Sequence, residues 1–184
     1  MPDLTFRHHD AAAARQIRAT VEAIYKDSYT EAIASGDPFD TVEAFMWRFD
    51  AYAARPKFDM VIAYIGDEPV GQIWGWPLES AAAWQGLVQE PEPGFTKEDG
   101  KRTFALSEIM VRQAWKGQGI AHALHKELLS ARTEQRAELF VEPDNATAYR
   151  AYLHWGWRKV AEIRPGLPDA PLFDVLVLPL PLGR

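Results

Sequence analysis

The amino-acid sequence predicts a single domain of mixed α/β (α+β) class, residues 1–184, built around a mixed sheet. Two strand-like segments flank a Gly-Asp-Glu-Pro turn at residues 66–69, which indicates an antiparallel hairpin. Later in the chain, a strand, helix, strand succession predicts a right-handed crossover and a locally parallel pair of strands. A chain of 184 residues without internal repeats or linker-like stretches fits one domain.

The first predicted elements are a short strand and two helices. Residues 4–8 have a β-type pattern, and residues 11–35 predict a helix that Gly-Asp-Pro at residues 36–38 ends. Residues 40–54 predict a second helix, with Pro56 just past its end. The apolar residues that recur at helical spacing are Ile17, Val21, Ile24 and Tyr25 in the first helix, and Val42, Phe45, Met46 and Phe49 in the second.

The middle of the chain combines the hairpin with a long irregular segment. Residues 58–65 and 70–76 are the two strands of the hairpin. Residues 78–101 are interrupted by Pro, Gly and acidic residues, so no long regular element is expected there. Loops of this length are usually functional or disordered.

The last third of the chain alternates strands and helices. The pattern predicts a strand at residues 104–111, a glycine-rich turn at 115–121, a helix to about residue 133, a strand at 139–141, a helix at 145–155, and strands at 157–163 and 173–178. This order, with the hairpin before it, favours a mixed sheet over a purely parallel one.

Composition and charge restrict the class of protein. Hydrophobic residues make up 47% of the chain and charged residues 25%, which is a globular composition, and the net charge of −6 disfavours nucleic acid as a partner. The absence of cysteine excludes disulfides, thiolate zinc sites and a cysteine nucleophile. No apolar stretch reaches the length of about 18 residues of a membrane span, and residues 1–4 lack the basic region of a signal peptide. We expect a soluble, cytoplasmic bacterial protein with no membrane association.

The glycine-rich turn is the most informative segment. A strand leads into Gly117-Gln118-Gly119, and Ile120, Leu124 and Leu128 then share one face of the following helix. Backbone amides at such a turn, together with the positive end of the helix dipole, form an anion site suited to phosphate. A Rossmann fingerprint requires glycine where His122 stands, and a P-loop requires Gly-Lys-Ser/Thr. The alternative is that both glycines serve turn geometry alone.

Two motifs in the right order carry a resemblance to a known family. Residues 116–121 read Lys-x-x-Gly-x-Ala, which resembles the Arg/Gln-x-x-Gly-x-Gly/Ala pyrophosphate loop of the GCN5-related N-acetyltransferase (GNAT) family. Residues 145–157 are similar to the second signature of that family, Asn-x-x-Ala-x-x-x-Tyr-x-x-x-Gly-Phe. The chain departs from the family pattern at Lys116, at Gln113 where proline is common, and at Trp157 in place of Phe.

The resemblance implies the acyl-CoA N-acyltransferase fold as a single N-acetyltransferase domain. That fold has a mostly antiparallel sheet of about six to seven strands, a central splayed parallel pair, here residues 104–111 and 139–141, and helices on both faces. Acetyl-CoA is then the acyl donor, with its pantetheine arm paired to the strand backbone and its pyrophosphate held by the turn; no metal is needed. The implied cofactor-binding residues are Met110, Val111, Lys116, Gly117, Gln118, Gly119, Ile120, Ala121, His122 and Asn145.

Two residues are candidates for proton transfer during acyl transfer to an amine. An ammonium must lose a proton before it attacks, and the leaving thiolate needs a proton. Glu108 shares a strand face with Phe104, Leu106 and Met110, and desolvation there raises a carboxyl pKa toward neutrality. Its alternative role is a structural ion pair with Arg or Lys. The resemblance implies that Tyr152 protonates the sulfur, and the alternative is a packed core tyrosine.

No sequence motif identifies the amine that accepts the acetyl group. Residues 26–40, with Tyr29, Asp37 and Phe39, and residues 78–101 are the regions where it is expected to reside. The acceptor is a primary amine of a small molecule or a protein, and a homodimer is possible. The acidic residues Glu90, Glu92, Glu98 and Asp99 can steer a cationic amine or simply face solvent.

His122 and His125 are spaced i, i+3 without a third metal ligand. A catalytically silent acyl-CoA-binding module is the alternative function.

Overall fold

The computed structural model describes residues 3–183, so Met1 and Pro2, considered above in the N-terminal pattern, and Arg184 lie outside the described residues. Within them, the strands are β1 Leu4–Asp10, β2 Asp59–Ile65, β3 Glu68–Pro77, β4 Thr103–Val111, β5 Arg136–Val141, β6 Arg158–Ile163 and β7 Phe173–Pro179. The α-helices are α1 Ala11–Gln16, α2 Arg18–Ser28, α3 Thr30–Ser35, α4 Val42–Tyr52, α5 Ile120–Ser130 and α6 Ala146–His154. Short 3₁₀ turns occupy Pro38–Asp40, Ala81–Trp84 and Gln113–Trp115.

The strands form one mixed sheet in the order β1-β2-β3-β4-β5-β7-β6. β1, β2 and β3 pair antiparallel, and β7 pairs antiparallel with both β5 and β6. β4 and β5 are parallel, with registered pairs from Thr103–Arg136 to Ala105–Glu138. The predicted fold class, hairpin and parallel pair are therefore confirmed. The insertion of β7 between β5 and β6 was not predicted, because strand order depends on pairings that are distant in sequence.

Contacts divide the chain into two compact units. One unit comprises the residues up to Trp76 with Ser107–Ala131, and the other comprises Pro77–Leu106 with the residues from Arg132 onward. The division falls within β4, so that strand contributes residues to each unit. One domain over residues 1–184 stays a prediction.

Aromatic packing builds the core of the first unit. The ring of Trp74 on β3 meets Phe45 and Phe49 of α4 at centroid distances of 5.9 and 5.4 Å. Burying such side chains contributes about 1.5–3 kcal/mol each. A β-carbon at Gly71 of β3 would lie 2.9 Å from the carbonyl oxygen of Met110, so only glycine allows β3 and β4 to approach this closely.

The predicted helix over residues 11–35 is three helices. The breaks fall at Ile17 and Tyr29, whose backbone leaves helical geometry at φ −103°, ψ 22° and φ −116°, ψ 31°. Each of these residues nevertheless accepts a hydrogen bond from the next helix, from the Val21 and Ile33 amides. A backbone hydrogen bond therefore connects each break to the helix after it, and neither break is marked by glycine or proline. Gly36, at φ 78°, ends α3 as predicted.

The irregular segment over residues 78–101 packs against other residues of the second unit. Trp84 is buried and packs on Phe95 at 5.0 Å between ring centroids. The Val88 amide donates to the carbonyl of Glu162, and Arg136 donates to the carbonyl of Phe95. The segment is therefore ordered although its regular structure is confined to one short turn. Among the described residues, no helix is long and apolar enough to cross a membrane.

Candidate active site

The turn between β4 and α5 has the geometry that its glycines predict. Gly117 and Gly119 have φ of 77° and 80°, a region that favours glycine, and a β-carbon at either would meet open space within 4 Å. Both glycines therefore serve backbone conformation rather than close packing. Residues 116–119 are exposed, and burial resumes at Ile120, the first residue of α5.

The N-terminus of α5 presents backbone amides with no intrahelical acceptor. The first intrahelical bond runs from the Ala123 amide to the carbonyl of Gly119, at 3.0 Å, so the amides of Ile120 and Ala121 precede it. Gly119 is the N-cap and supplies no capping side chain. The positive end of the helix dipole adds to these donors. Such a turn is chemically suited to a phosphate group, and binding of the pyrophosphate of coenzyme A there stays a prediction.

Lys116 and Gln113 tie this turn to the end of α2. Lys116 Nζ donates to the carbonyl of Ser28 at 3.0 Å, and Gln113 Nε2 donates to the same carbonyl at 3.4 Å. The Asp27 carboxylate accepts from the Gln113 amide at 3.1 Å and from Arg112 Nε at 3.2 Å. Sequence reasoning assigned Lys116 to the cofactor and missed this connection. No local sequence signal could have revealed it, because Lys116 lies 88 positions after Ser28.

Met110 and Val111 end β4 next to β3. Gln72 Nε2 lies 3.1 Å from Met110 Sδ and 3.2 Å from the carbonyl of Val21. The Arg112 amide donates to the carbonyl of Val70 at 2.9 Å, directly after β4. These contacts hold the end of β4 in place, and pairing of Met110 and Val111 with a pantetheine arm stays a prediction.

Glu108 lies half-buried on β4. Burial raises its pKa to about 7, the Arg48 charge lowers it, and the Asp40 charge raises it further. Among residues 3–183, no Lys or Arg nitrogen approaches its carboxylate to within 4.0 Å. A carboxyl that titrates near neutrality without an ion pair can accept a proton from an ammonium.

Four residues of the same unit surround Glu108 electrostatically, and we call the five together the Glu108 cluster. Its members are Tyr25, Asp40, Arg48, Tyr52 and Glu108. The Tyr25 hydroxyl donates to the carbonyl of Asp40 at 2.8 Å, and the Tyr52 ring stacks on Trp76 at 4.6 Å. Burial, followed by the charge of Glu108, raises the pKa of Tyr52 to about 12, so this phenol is neutral at pH 7.

Two of the residues expected near the acceptor contact this cluster. The Tyr29 ring stacks on Tyr25 at 5.1 Å, and the Phe39 carbonyl accepts from Arg48 Nη1 at 2.8 Å. Asp37 instead accepts from the Phe39 amide at 2.9 Å and caps the turn at Pro38–Asp40. Sequence reasoning missed Arg48, although a charged residue within the apolar face of α4 was a detectable signal.

Asn145 and Tyr152 belong to the second unit. Asn145 is the N-cap of α6, and its side chain accepts from the Ala148 amide at 3.3 Å. Tyr152 is buried, with its ring edge-on to Trp155 at 5.7 Å and to Trp157 at 6.2 Å. Trp157, which departs from the family pattern, thus supplies the aromatic packing that a phenylalanine would. Contact of Asn145 with pantetheine and proton donation by Tyr152 stay predictions.

The acidic loop does not present all its charges to solvent. The Glu98 side chain is fully buried, and its Oε1 accepts from Thr103 Oγ1 at 2.8 Å and Trp84 Nε1 at 3.0 Å and pairs with Arg136 at 3.2 Å. Glu90 accepts from the Thr96 amide at 3.1 Å, within the loop. Glu98 is therefore a structural group, and of the acidic residues considered for steering it is the one that solvent does not reach.

The two histidines of α5 differ in environment. His125 is buried, and burial followed by the charge of His122 lowers its pKa to about 4, while His122 is exposed. Their ring centroids lie 6.1 Å apart. In residues 3–183, no group of three or more His, Cys, Asp or Glu side chains is arranged to hold a metal ion.

A family model matches most of the chain. The model described as Acetyltransferase (GNAT) family matches residues 19–157, which include the turn, Glu108 and the segment around Tyr152. No curated protein matches the chain.

Solved structures share the fold at low sequence identity. An acetyltransferase from Thermus thermophilus is 17% identical with a TM-score of 0.62, over 96% of this chain and 97% of that one. The ribosomal-protein-S18-alanine N-acetyltransferase from Escherichia coli is 13% identical with a TM-score of 0.63, over 99% and 97%. A GNAT family acetyltransferase from Elizabethkingia anophelis, solved with acetyl-CoA bound, is 12% identical with a TM-score of 0.62, over 98% and 100%. These likenesses establish the fold and leave the acceptor open.

Proposed function

The chain belongs to the acetyltransferase (GNAT) family, and from this premise we propose that it transfers the acetyl group of acetyl-CoA to a primary amine by direct attack in a ternary complex. The acceptor is an amine of a small molecule or a protein. The cytoplasmic, bacterial setting and the possible homodimer expected from the sequence stay predictions.

The observation that carries this proposal is the glycine turn at the start of α5. Its exposed backbone and the uncapped amides of Ile120 and Ala121 supply what a pyrophosphate requires. The hydrogen bond from Lys116 to Ser28 and the contacts of Asp27 hold this turn before any ligand arrives. Preorganised donors lose little conformational entropy on binding, which favours affinity.

Acetyl-CoA supplies an acetyl thioester, and the residues of the chain supply proton transfer. Glu108, with a pKa of about 7, accepts the proton that the acceptor ammonium loses. The amine nitrogen then forms the N–C bond while the C–S bond breaks with its electron pair going to sulfur. Tyr152 donates a proton to that sulfur. The nitrogen then loses its second proton, which returns to Tyr152. The net products are an amide, a thiol and one released proton.

Thermal unfolding with and without acetyl-CoA tests the proposal. Ligand at about 100 times its dissociation constant stabilises a protein by roughly 2.7 kcal/mol. For a chain of this size, that corresponds to a rise in Tm of about 5–10 °C. NADH and ATP serve as controls and should give a much smaller rise. An unchanged Tm with acetyl-CoA would leave the turn as a structural feature and remove the main support for the proposal.

The alternative, a catalytically silent acyl-CoA-binding module, shares the rise in Tm. It differs in predicting no acetyl transfer to any amine in a broad panel. The titration of Glu108 near pH 7, without an ion pair among the described residues, favours the enzyme.

A further inference from the structure

Arg48 of α4 is a charged residue in an apolar position. Only 6% of its surface is exposed, and Phe45 and Phe49 of the same helix are buried as well. Burying a cationic group is costly unless an opposite charge or several hydrogen-bond acceptors compensate for the lost water. The contacts of Arg48 therefore indicate what this residue does.

Arg48 is held in place, but most of its donors are not used. Nη1 donates to the carbonyl of Phe39 at 2.8 Å, and the guanidinium lies 3.9 Å from the centroid of the Phe39 ring. Among residues 3–183, Phe39 is its only hydrogen-bond and ring partner, and no carboxylate oxygen lies within 4.0 Å of its nitrogens. Its Nε and Nη2 are not among the polar atoms that are fully buried without a partner, so each keeps some contact with solvent. A guanidinium has five N–H donors in a planar fork that matches a carboxylate.

The positive charge of Arg48 acts on the carboxyls of Glu108 and Asp40, although neither forms an ion pair with it. Burial raises the pKa of each carboxyl, and the positive charge of Arg48 opposes that rise in both. The cluster thus holds a fixed cation close to the carboxyl that we assign as the base, with no direct ion pair between them among the described residues. A ligand that carries both a positive and a negative group complements both.

We propose that Arg48 binds a carboxylate of the acceptor, so that the acceptor is a small aminocarboxylate of amino-acid type whose free amine faces Glu108. This inference rests on the proposed function and names its substrate class. The half-buried rings of Tyr29 and Tyr52, which stack on the buried rings of Tyr25 and Trp76, can pack against the body of such a molecule.

Other amine classes fit the cluster less well. A polyamine would bring a second positive charge toward Arg48, which no carboxylate within 4.0 Å neutralises among the described residues. The amine at the start of a peptide has an amide beside it in place of a carboxylate, so the Arg48 donors would lose a charged acceptor. A site built to bind a charged group rejects a ligand that lacks it, because its own polar atoms are then left without partners.

The test compares each L-amino acid with its own carboxamide as acetyl acceptor. Acetyl-CoA is the donor, thiol release is measured, and spermidine and a tripeptide amide complete the panel. For the wild-type protein, we expect kcat/KM for the preferred amino acid to exceed that of its carboxamide by about 10- to 100-fold. This comparison needs no mutation, so it does not depend on a variant that folds.

Two variants assign the preference to Arg48. Arg48→Met should bring the ratio of amino acid to carboxamide close to one, and Arg48→Lys, which keeps the charge without the planar fork, should give an intermediate ratio. Arg18→Met is the matched control, because Arg18 is an exposed arginine of the same unit paired with Asp50. It should keep the wild-type ratio. As a readout without turnover, the preferred amino acid added with coenzyme A should raise the Tm of the wild type and not that of Arg48→Met.

The outcomes separate this inference from the proposed function. If acetyl-CoA raises the Tm but carboxamides, spermidine or the tripeptide amide are accepted as well as the amino acids, the inference is wrong and the proposed function stands. A preference for amino acids that survives Arg48→Met also overturns the assignment. If acetyl-CoA neither raises the Tm nor acts as a donor, the proposed function is wrong and the inference fails with it.

Discussion

Glu108 shows how one residue acquires a role from its surroundings. On the strand pattern alone it is one polar residue among apolar neighbours, and a structural ion pair is an equal alternative. In the fold, burial brings its pKa to about 7, and no Lys or Arg nitrogen of the described residues pairs with it. A base with this pKa is half deprotonated at neutral pH, which suits removal of a proton from an ammonium.

Removing the two proton-transfer groups should separate binding from turnover. We expect Glu108→Gln to lower kcat by about 10²- to 10⁴-fold, because the ammonium then keeps its proton, and Tyr152→Phe to lower kcat as well. In the wild type, kcat/KM should rise with pH up to about 7, since the folded-state pKa of Glu108 sets the fraction of deprotonated base. Steady-state kinetics between pH 5.5 and 9 measures both effects.

The controls are acetyl-CoA affinity and the pH profile of each variant. Both variants should bind acetyl-CoA as the wild type does, and Glu108→Gln should lose the rise in activity near pH 7. Full turnover in Glu108→Gln, with normal binding, would show that this residue is not the base. Full turnover in Tyr152→Phe would leave Tyr152 as the packed core tyrosine that its contacts with Trp155 and Trp157 describe.

At the scale of elements, the glycine-rich turn before α5 is attached to the end of α2. Gly117 and Gly119 adopt positive φ in this turn, and Lys116 donates a hydrogen bond from it to the last carbonyl of α2. A helix has amides without acceptors at its start only, so we expect an anion to bind where the turn meets the N-terminus of α5.

A matched pair of glycine variants tests the turn. Gly119→Ala should destabilise the protein by about 1–2 kcal/mol, because an L-residue is strained at φ 80°. It should also weaken acetyl-CoA binding, since the turn would shift to relieve that strain. Gly36→Ala is the control, because Gly36 ends α3 at φ 78° with nothing within 4 Å of an added β-carbon. Thermal unfolding and calorimetric titration with acetyl-CoA measure both.

We expect Gly36→Ala to lose similar stability and to bind acetyl-CoA with wild-type affinity. Equal affinity loss in both variants would indicate general destabilisation and not a role of the turn in binding. Unchanged affinity in Gly119→Ala would assign the turn a purely structural function.

At the scale of the whole molecule, buried carboxyls make stability depend on pH. Burial, with the charge of Glu98, raises the pKa of Glu138 to about 8, and burial raises that of Glu108 to about 7. Both values exceed the ordinary 4.5, so the folded state holds these protons to higher pH than the unfolded state does. The free energy of unfolding therefore falls as pH rises from about 4.5 through about 8.

Replacing Glu138 with its neutral isostere should relieve this penalty. We expect Glu138→Gln to raise Tm at pH 8.5 by on the order of 5 °C and to change it little at pH 5, where the wild-type carboxyl is protonated. Thermal unfolding across this range is the measurement. Glu43→Gln, which changes an exposed carboxyl, should leave the pH dependence unaltered. Destabilisation of Glu138→Gln by the same amount at every pH would instead indicate lost packing or hydrogen bonding.

The sequence by itself determined the element types, their order and the turn before α5, because periodicity and glycine conformation are local properties. It placed the hairpin, the parallel pair and the family motifs on the right elements. The continuous helix predicted over residues 11–35 was wrong, since Ile17 and Tyr29 break it without a local signal. The alternation of apolar residues along the strand could identify Glu108 as a buried carboxyl, but it could not identify the residues around it.

Only the tertiary structure determined which residues the polar side chains contact and which strands pair. Lys116 meets Ser28 across 88 positions of sequence, Arg48 meets Phe39 rather than a carboxylate, and Glu98 is buried against Arg136 instead of facing solvent. β7 takes its place between β5 and β6 for the same reason, because pairing depends on the whole sheet. Periodicity reports whether a side chain is covered, whereas packing decides what covers it, and the proposed acceptor class depends on the second.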